Sequence, residues 1–580
     1  MALVGCAASW LPCLLHHSPA ALADIRLNSP NPALVTQRAA QRLPRLALLL
    51  FCAAYVLPGL FGRDPWKSAD ITAFGYMVNI AQGRTPWLAP TVAGLPADSA
   101  LLPYWLGASF IKLLPWLDPA LAARLPFALL LALVLVLTWY TTYHLARTDA
   151  AQPLPFAFGG EASAVDYARA IADGALLALI ATLGLLQLGH ETTPELGQLS
   201  SVALLLYAFA ASPFKGLDCK LAALVALPAL AASGAPSMAL ALGVVGAEIC
   251  RQSSYQAVRR FALWVVVSTV LSVLVATWLG AWGWRVARLS TATQVWGLVR
   301  QLVWFTWPAW PLALWTLWRW RHHLLNRHIA IPLGSVLVSL GACIAMGGSD
   351  RALLLGLPGL AVLAAFALPT LQRSTASAID WFSVFFFSTC ALAIWVVYAS
   401  MQTGVPAQPA ANVVRLAPGF MPVYSTLALL FAIVGTLAWL WLVRWRSGRN
   451  RHPLWKSMVL PASGVALCWL LLMTLWLPLL DHARSYRPLV LAIAQHVPRE
   501  ACIAAPGVPR AQLVALEYLG RFRVDATAAP DTTRCDYLLQ METRQKPGHA
   551  GPRWQRVATE RRPTDREELT AIYRRADTAN

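Results

Sequence analysis

Residues 63–70 have the sequence Arg-Asp-Pro-Trp-Lys-Ser-Ala-Asp, and Trp-Leu-Ala-Pro at 87–90 and Pro-Tyr-Trp at 103–105 follow them. These stretches place acids, bases and aromatic rings within one connecting segment, while most of the remaining chain is apolar. Charged groups are costly at a membrane, and those that occur there usually serve a function. The segment 63–121 is therefore the first candidate functional region, and its apolar surroundings predict the fold.

The composition of the 580 residues is that of a protein embedded in a membrane. Hydrophobic residues make up 58% and charged residues only 13%, and the mean hydropathy is +0.54. A soluble chain of this length needs far more charge. The net charge of +19 is spread over short basic clusters between apolar segments. That distribution is typical of membrane proteins and argues against nucleic acid as a partner.

About thirteen apolar segments have the length of a membrane-spanning helix, since about 20 residues cross a bilayer. They lie at 46–62, 124–146, 171–189, 197–213, 219–233, 236–250, 261–284, 301–318, 329–346, 352–370, 381–400, 423–443 and 457–479. The sequence therefore predicts an all-α polytopic membrane protein.

The basic clusters predict the orientation of the chain. Three arginines precede the first apolar segment, and a basic run at 444–456 precedes the last. Basic residues favour the cytoplasmic side. The predicted domains are a cytoplasmic N-terminal tail at 1–45, a transmembrane domain at 46–480 with the outer loop 63–121, and a periplasmic domain at 481–580.

The last part of the chain has the pattern of a small α/β unit, because predicted helices and strands alternate in it. The helices are predicted at 485–497 and 510–519, and the strands at 501–505 and 535–541. Cys502 and Cys535 both lie in this unit. If it faces an oxidising compartment, the two cysteines can form a disulfide.

The outer loop carries the first candidate for chemistry. Residues 71–83 and 102–116 are predicted as juxtamembrane helices, and Asp70 precedes the first of them. A carboxylate at the membrane interface is partly desolvated, which raises its pKa and suits it to accept a proton. The alternative is that Asp64 caps a helix and Asp70 lies in solvent.

Two further outer turns carry charged residues. Glu195 opens an apolar helix, where it is either a reacting acid or only a partner of the helix dipole. His190, in the same turn, is either a metal ligand or a surface histidine. Arg351 has a guanidinium that suits a phosphate, and the alternative is an ion pair with Asp350.

These elements, in this order, resemble the bacterial protein O-mannosyltransferase superfamily of GT-C glycosyltransferases, above all its aminoarabinose (lipid A) transferase branch. In that family an acidic motif follows the first helix, and Gly-Asp-Trp-x-x-Pro and Phe-Glu-Lys-Pro-Pro-x-x-Tyr-Trp elements come next. The counterpart of the acidic motif here is 67–70, and that of the Gly-Asp-Trp-x-x-Pro element is 87–90 with 94–96. The counterpart of the third element is 97–99 leading to Tyr104 and Trp105. Arg-Leu-Pro at 124–126 matches a family Arg-Leu-Pro at the start of the second helix.

The resemblance implies an enzyme of the bacterial inner membrane. It would move a hexose or pentose, with inversion, from a polyprenyl-phosphate donor such as an undecaprenyl phosphate sugar to a periplasmic acceptor such as lipid A. The implied catalytic residues are Asp70 and Glu195, and the implied substrate-binding residues are Lys67, Asp98, Tyr104, Trp105 and Arg351. The pattern requires no cofactor. Whether Asp70, Asp98 and Glu195 bind a divalent metal ion is left open by the sequence.

The chain also departs from the family motifs. The paired Asp-Glu is here Ala69-Asp70, and the Glu-Lys of the later element is Asp98-Ser99, which removes a lysine that would contact phosphate. Each such loss weakens charge stabilisation of the transition state by about 3 kcal/mol. Two alternatives therefore stand beside the enzyme: a catalytically inactive relative, and a lipid or solute transporter. A transporter predicts repeated halves, and this sequence has no evident internal repeat.

Overall fold

The computed structural model of the protein describes residues 33–97, 100–156, 158–283, 286–287, 291–447, 453–543, 550–565 and 567–576. The helices are α1 Arg45–Val56, α2 Ala69–Ala81, α3 Leu101–Leu113, α4 Pro119–Ala146, α5 Ala164–Ala181, α6 Leu183–Leu188, α7 Pro194–Ala211, α8 Leu217–Ala232, α9 Pro236–Arg251, α10 Gln256–Trp278, α11 Ala292–Phe305, α12 Ala309–Arg319, α13 Arg327–Ala345, α14 Asp350–Leu354, α15 Leu357–Ala367, α16 Arg373–Thr403, α17 Ala407–Leu416, α18 Thr426–Ser447, α19 Lys456–Leu475, α20 Leu477–Arg484, α21 Arg487–Ile493 and α22 Arg510–Tyr518. The strands are β1 Thr91–Val92, β2 Leu95–Pro96, β3 Cys502–Ala504, β4 Arg523–Asp525, β5 Tyr537–Thr543, β6 Trp554–Glu560 and β7 Glu568–Arg575.

The polytopic helical fold predicted from the sequence is confirmed. Within the described residues, six helices are long and apolar enough to cross a membrane, namely α4, α10, α13, α16, α18 and α19. Shorter helices occupy the other predicted spans, so the count of about thirteen spans stays a prediction. One predicted span, 301–318, is divided into α11 and α12 around Pro308, because a proline has no N–H to continue the helix.

The two juxtamembrane helices form close to where they are predicted, as α2 and α3. Helix α2 is not laid on an open membrane surface, because ten of its 13 residues are buried. Helix α22 of the C-terminal unit covers it: the Phe74 and Tyr518 rings meet edge to face with centroids 4.8 Å apart. The Glu517 carboxylate also accepts the backbone N–H of Ala93 at 3.1 Å. The outer loop is therefore enclosed between the membrane helices and the C-terminal unit.

The C-terminal unit is built on a five-stranded sheet in the order β4-β3-β5-β7-β6. Strand β3 is parallel to β4 and β5, and β7 is antiparallel to β5 and β6. The predicted strands at β3 and β5 are confirmed, while β4, β6 and β7 are additional. Cys502 and Cys535 are disulfide-bonded in this unit.

A buried carboxylate fixes the start of the membrane domain. Asp173 of α5 accepts the backbone N–H of Leu43 and the indole N–H of Trp139, both at 2.8 Å. Leu43 lies just before α1, so this contact anchors the first apolar helix against α4 and α5. The outer loop leaves the membrane from the other end of α1.

The tight contact between α2 and α22 gives a testable prediction. A Cβ added at Gly75 would lie 2.2 Å from Cγ2 of Val514. We expect Gly75→Ala to lower the free energy of unfolding by about 1–3 kcal/mol, because the overpacked helices must separate. The thermal melting of the purified protein in detergent measures the loss.

A second substitution in the same chain, Val514→Ala, removes the clash and is expected to recover part of the stability. Gly297→Ala is the matched control, since no heavy atom lies within 4 Å of the added Cβ. Wild-type melting of the Gly75→Ala protein would contradict the packing described for α2.

Candidate functional site

Asp70 lies at the centre of the polar contacts of the outer loop. Its side chain is only 1% exposed, and it forms an ion pair with Arg63 at 2.9 Å. The same oxygen, Oδ2, accepts the backbone N–H of Trp66 at 2.9 Å. Oδ1 accepts the backbone N–H of Thr192 at 2.9 Å and also its hydroxyl group. A carboxylate has about four acceptor positions, so all of them are in use.

The guanidinium of Arg63 connects Asp70 to the neighbouring elements. Its Nε donates to the carbonyl oxygen of Gly59 at 2.8 Å, and Nη2 donates to that of His190 at 2.7 Å. Arg124 at the start of α4 donates to the carbonyl oxygen of Arg63 at 2.7 Å. The outer loop, the turn after α6 and the start of α4 are thus joined through one buried ion pair.

The pKa of Asp70 differs from the sequence-based expectation. Burial alone raises this pKa, but the charges of Arg63 and Arg124 and the hydrogen bonds from Thr192 and Trp66 outweigh burial, and the net pKa is lowered. The expected gain in basicity is therefore wrong, and so is the alternative that Asp70 lies in solvent. The geometry favours a positioning role for this carboxylate over proton acceptance.

Arg351 joins two acids of the turn between α6 and α7. Its Nη2 lies 2.8 Å from the Glu191 carboxylate, and its Nη1 lies 3.1 Å from that of Glu195. Nη1 also lies within 3.4 Å of the Thr193 hydroxyl. The sequence left open a phosphate ligand or an ion pair with Asp350. Arg351 pairs with Glu191 and Glu195 and not with Asp350, which brings two of the predicted site residues, Arg351 and Glu195, together. Its role as a phosphate ligand stays a prediction.

The two acids have different surroundings. Glu191 is nearly buried, and Gln187 donates to its second oxygen at 3.1 Å. Burial raises the pKa of Glu191, as does the charge of Asp70, although Arg351 acts in the opposite direction. The Glu195 side chain is 20% exposed, and the ion pair with Arg351 uses its Oε2. The ion pair leaves Oε1 free, since no donor among the described residues lies at hydrogen-bond distance from it, so that oxygen can meet a substrate.

Trp66 contacts a second group of charged side chains, next to the Arg63–Asp70 pair. Its indole N–H donates to Asp481 of α20 at 2.9 Å, and its ring packs against Trp469 of α19. The guanidinium carbons of Arg63 and Arg484 lie over this indole, 4.6 and 5.3 Å from its centroid. The end of the last apolar helix and the outer loop therefore share one aromatic platform.

Two ion pairs attach the outer loop to the segments after α19. The Nζ of Lys67, one of the implied substrate-binding residues, lies 3.2 Å from the Asp565 carboxylate of the C-terminal unit. Asp64 accepts from the guanidinium of Arg487, with the closest contact at 2.5 Å, and from the hydroxyl of Ser485 at 2.7 Å. Asp64 is therefore a bridge to α21 and not the helix cap that was the alternative.

The aromatic residues predicted to bind substrate lie on α3. Tyr104 is buried and its ring lies 5.2 Å from that of Tyr76. Trp105 donates its indole N–H to the carbonyl oxygen of Trp87 at 2.7 Å. Both rings therefore brace the outer loop. Asp98, the remaining predicted substrate-binding residue, lies outside the described residues.

The possible metal site on Asp70, Asp98 and Glu195 stays a prediction, because Asp98 lies outside the described residues. No group of three or more His, Cys, Asp or Glu side chains with a metal-binding arrangement occurs in the described part of the chain. Asp70 has no acceptor position left, and the charge of Glu195 faces Arg351. The ring nitrogens of His190 lie 2.6 and 2.8 Å from the carbonyl oxygens of Leu186 and Tyr55. His190 is therefore a packing residue.

We call this group of polar and charged side chains, at the end of the helices next to the segment 63–121, the polar junction. It comprises Arg63, Asp70, Glu191, Thr192, Glu195, Arg351 and Arg484. Sequence reasoning gave no role to four of them, Arg63, Glu191, Thr192 and Arg484. Glu191 and Thr192 could have been found from the sequence, because they share one short turn with Glu195. Nothing in the sequence relates Arg484 to Trp66.

Comparison with solved structures gives two crystal structures of ArnT from Cupriavidus metallidurans, one bound to undecaprenyl phosphate and one in the apo state. Each is 13% identical in sequence, covers 91% of this chain and 96% of that chain, and superposes with a TM-score of 0.58 or 0.57. The chain has the ArnT fold. The coverage of 91% is too large to leave out either the membrane helices or the whole C-terminal unit, which confirms the predicted helical membrane fold with a small C-terminal α/β unit. No protein-family model matches the sequence, and no curated protein gives a significant match.

The saturated environment of Asp70 gives a prediction for stability. We expect Asp70→Asn to lower the free energy of unfolding by about 3–5 kcal/mol, because the buried charge of Arg63 then has no counter-ion. Thermal melting of the purified protein in detergent measures this effect. Asp531→Asn, at an exposed position, is the control and should melt as the wild type does. If Asp70→Asn melts at the wild-type temperature, Asp70 does not hold the outer elements together.

Proposed function

We propose that this protein is a polyprenyl-phosphate-dependent glycosyltransferase of the bacterial inner membrane. It moves a sugar from a donor of the undecaprenyl phosphate type to a cell-envelope acceptor such as lipid A, on the periplasmic face. The ArnT fold supports the class of enzyme, and the binding of undecaprenyl phosphate by ArnT itself supports the class of donor.

The observation that carries the proposal is the geometry of Glu195. Its Oε2 is held by Arg351, its Oε1 is open, and it stands at the outer end of a bundle of apolar helices. A carboxylate of this kind can accept the proton of an acceptor hydroxyl. The surrounding apolar helices provide the environment that a polyprenyl chain requires.

The proposed reaction is a single displacement. The acceptor oxygen attacks the anomeric carbon from the side opposite the lipid phosphate, which inverts the configuration at that carbon. The bond between the anomeric carbon and the phosphate oxygen breaks, and its electron pair remains on the departing polyprenyl phosphate. Glu195 takes the hydroxyl proton, so charge and atoms balance. Arg351 orients Glu195, and Glu191 holds the other side of the same guanidinium.

In this proposal Asp70 is a positioning residue. It fixes the turn that carries Glu191 and Glu195 by accepting both donors of Thr192. Asp70, which the sequence predicted as the base, thus positions Glu195, which is the proposed base. Lys67, Tyr104 and Trp105 brace the loop around the site through the contacts described above.

The proposed orientation places the C-terminal unit in the periplasm. The Cys502–Cys535 disulfide supports this side of the membrane, because disulfides persist in the periplasm and are rare in the cytoplasm. The basic run before α19 supports it too, since a cytoplasmic start of α19 puts its outer end in the periplasm.

Mass spectrometry of lipid A and other envelope glycans from cells with and without the gene tests the function. We expect one defined sugar to be absent from one glycan class in the deletion and to return with the wild-type gene. Identical glycan profiles would contradict a transferase and favour the inactive relative. Accumulation of an unmodified lipid or solute on one side of the membrane would favour the transporter.

A substitution of the proposed base sharpens this test. We expect Glu195→Gln to lower the rate of sugar transfer by about 10²–10⁴-fold, the usual contribution of a general base, with melting close to that of the wild type. Glu248→Gln is the matched control, because Glu248 also pairs with an arginine but lies exposed on α9. Wild-type transfer by Glu195→Gln would remove Glu195 from the reaction.

A further inference from the structure

The cations around the polar junction differ in how they are neutralised. Ion pairs with carboxylates occupy four of them: Arg63 with Asp70, Arg351 with Glu191 and Glu195, Lys67 with Asp565, and Arg487 with Asp64. Two further arginines, Arg124 and Arg484, have no carboxylate at ion-pair distance within the described residues. The Arg124 guanidinium donates to the backbone carbonyl oxygens of Leu60 and Arg63, whereas no described residue accepts a hydrogen bond from the Arg484 guanidinium. Lys67 and Arg351, which the family resemblance implies as substrate-binding residues, are paired with carboxylates, while the Arg484 guanidinium is available.

Arg484 is held in a defined position. It ends α20, the short helix that directly follows the last apolar helix α19, so it lies where the chain leaves the membrane. Its carbonyl oxygen accepts the backbone N–H of Lys67 at 3.0 Å. Its guanidinium rests over the indole of Trp66, and that indole is fixed by Asp481. An arginine stacked on a fixed ring presents its donors with little loss of side-chain freedom.

The electrostatic surroundings favour an anion beside Arg484. Burial lowers the pKa of its guanidinium, and the charge of Arg63 acts in the same direction, while Glu191 acts against both. A partly buried cation next to a second cation is stabilised by a bound anion. A guanidinium is also the side chain whose fork of donors matches the oxygens of a phosphate.

We propose that Arg484 binds the phosphate group of a membrane-embedded polyprenyl phosphate, through N–H donors to its non-bridging oxygens. This inference rests on the proposed function and names a ligand for the leaving group of that reaction. When the bond to the anomeric carbon breaks, the phosphate gains negative charge, and Arg484 stabilises that charge.

The test measures lipid binding by the full-length protein in phosphatidylcholine nanodiscs. The probes are undecaprenyl phosphate, uncharged undecaprenol and phosphatidylglycerol. We expect the wild type to bind undecaprenyl phosphate more tightly than the other two, and Arg484→Gln to weaken that binding about tenfold or more, with undecaprenol unaffected. Arg484→Lys keeps the positive charge without the forked set of guanidinium donors and should retain part of the affinity for undecaprenyl phosphate. Arg415→Gln, which removes an exposed arginine of α17, should bind as the wild type does.

Each other outcome overturns a definite part of the proposal. Equal binding of undecaprenyl phosphate by the wild type and Arg484→Gln removes Arg484 as its ligand and leaves the proposed function standing. Equal wild-type affinity for undecaprenyl phosphate and undecaprenol contradicts the proposed donor class itself. An Arg484-dependent preference for phosphatidylglycerol would assign the arginine to a phospholipid headgroup. If Arg484→Gln does not fold, Arg484→Lys and Arg484→Met replace it in the binding measurement. Wild-type affinity for undecaprenyl phosphate in both variants would overturn the assignment of Arg484, and weaker binding by Arg484→Met than by Arg484→Lys would support it.

Discussion

The buried ion pair between Arg63 and Asp70, extended by Thr192, is the constraint on which the outer part of this protein depends. Taking two charges out of water is expensive, and the cost is offset only where the geometry satisfies nearly every donor and acceptor. Here Asp70 accepts four hydrogen bonds and Arg63 donates to Asp70 and to two backbone carbonyl oxygens. Such a network has one low-energy arrangement, and it fixes the turn that carries Glu191 and Glu195.

The C-terminal unit completes this arrangement from the other side. Helix α22 buries α2, and the Lys67–Asp565 and Asp64–Arg487 pairs connect the loop to the segments after α19. The membrane helices alone would leave the polar face of the outer loop open to water. With the C-terminal unit in place, the Glu195 carboxylate and the Arg484 guanidinium, which has no carboxylate partner among the described residues, lie in partly desolvated surroundings. Electrostatic interactions are stronger in such surroundings.

Much of the fold was predictable because it depends on local patterns. Apolar segments of spanning length, the juxtamembrane helices near α2 and α3, and strands β3 and β5 follow from residues close together in the chain. Strand β6 was not predictable in this way, because Trp554 is its only fully buried residue and charged side chains interrupt its alternation. Strand β7 was not predicted, and its place in the sheet follows from its antiparallel pairing with both β5 and β6.

The site was predictable in its residue types and not in its pairings. Asp70, Glu195 and Arg351 were identified because they carry charge in the predicted outer loop and outer turns, away from the basic clusters that were assigned to the cytoplasmic side. Their partners depend on contacts between residues more than 100 positions apart in the chain, such as Thr192 with Asp70 and Glu191 with Arg351. Those contacts also reverse the expected pKa of Asp70, since its basicity is set by Arg63, Arg124 and Thr192 and not by the interface alone.

A structure of the full-length protein determined by electron cryo-microscopy with undecaprenyl phosphate in a nanodisc would show directly whether the polar junction binds the donor phosphate. We expect phosphate density within hydrogen-bonding distance of Arg484, with the open oxygen of Glu195 facing the same space and the Arg63–Asp70 pair intact. Phosphate density at a site away from the polar junction would contradict this assignment, as would a lipid chain that enters between helices remote from α19 and the outer loop.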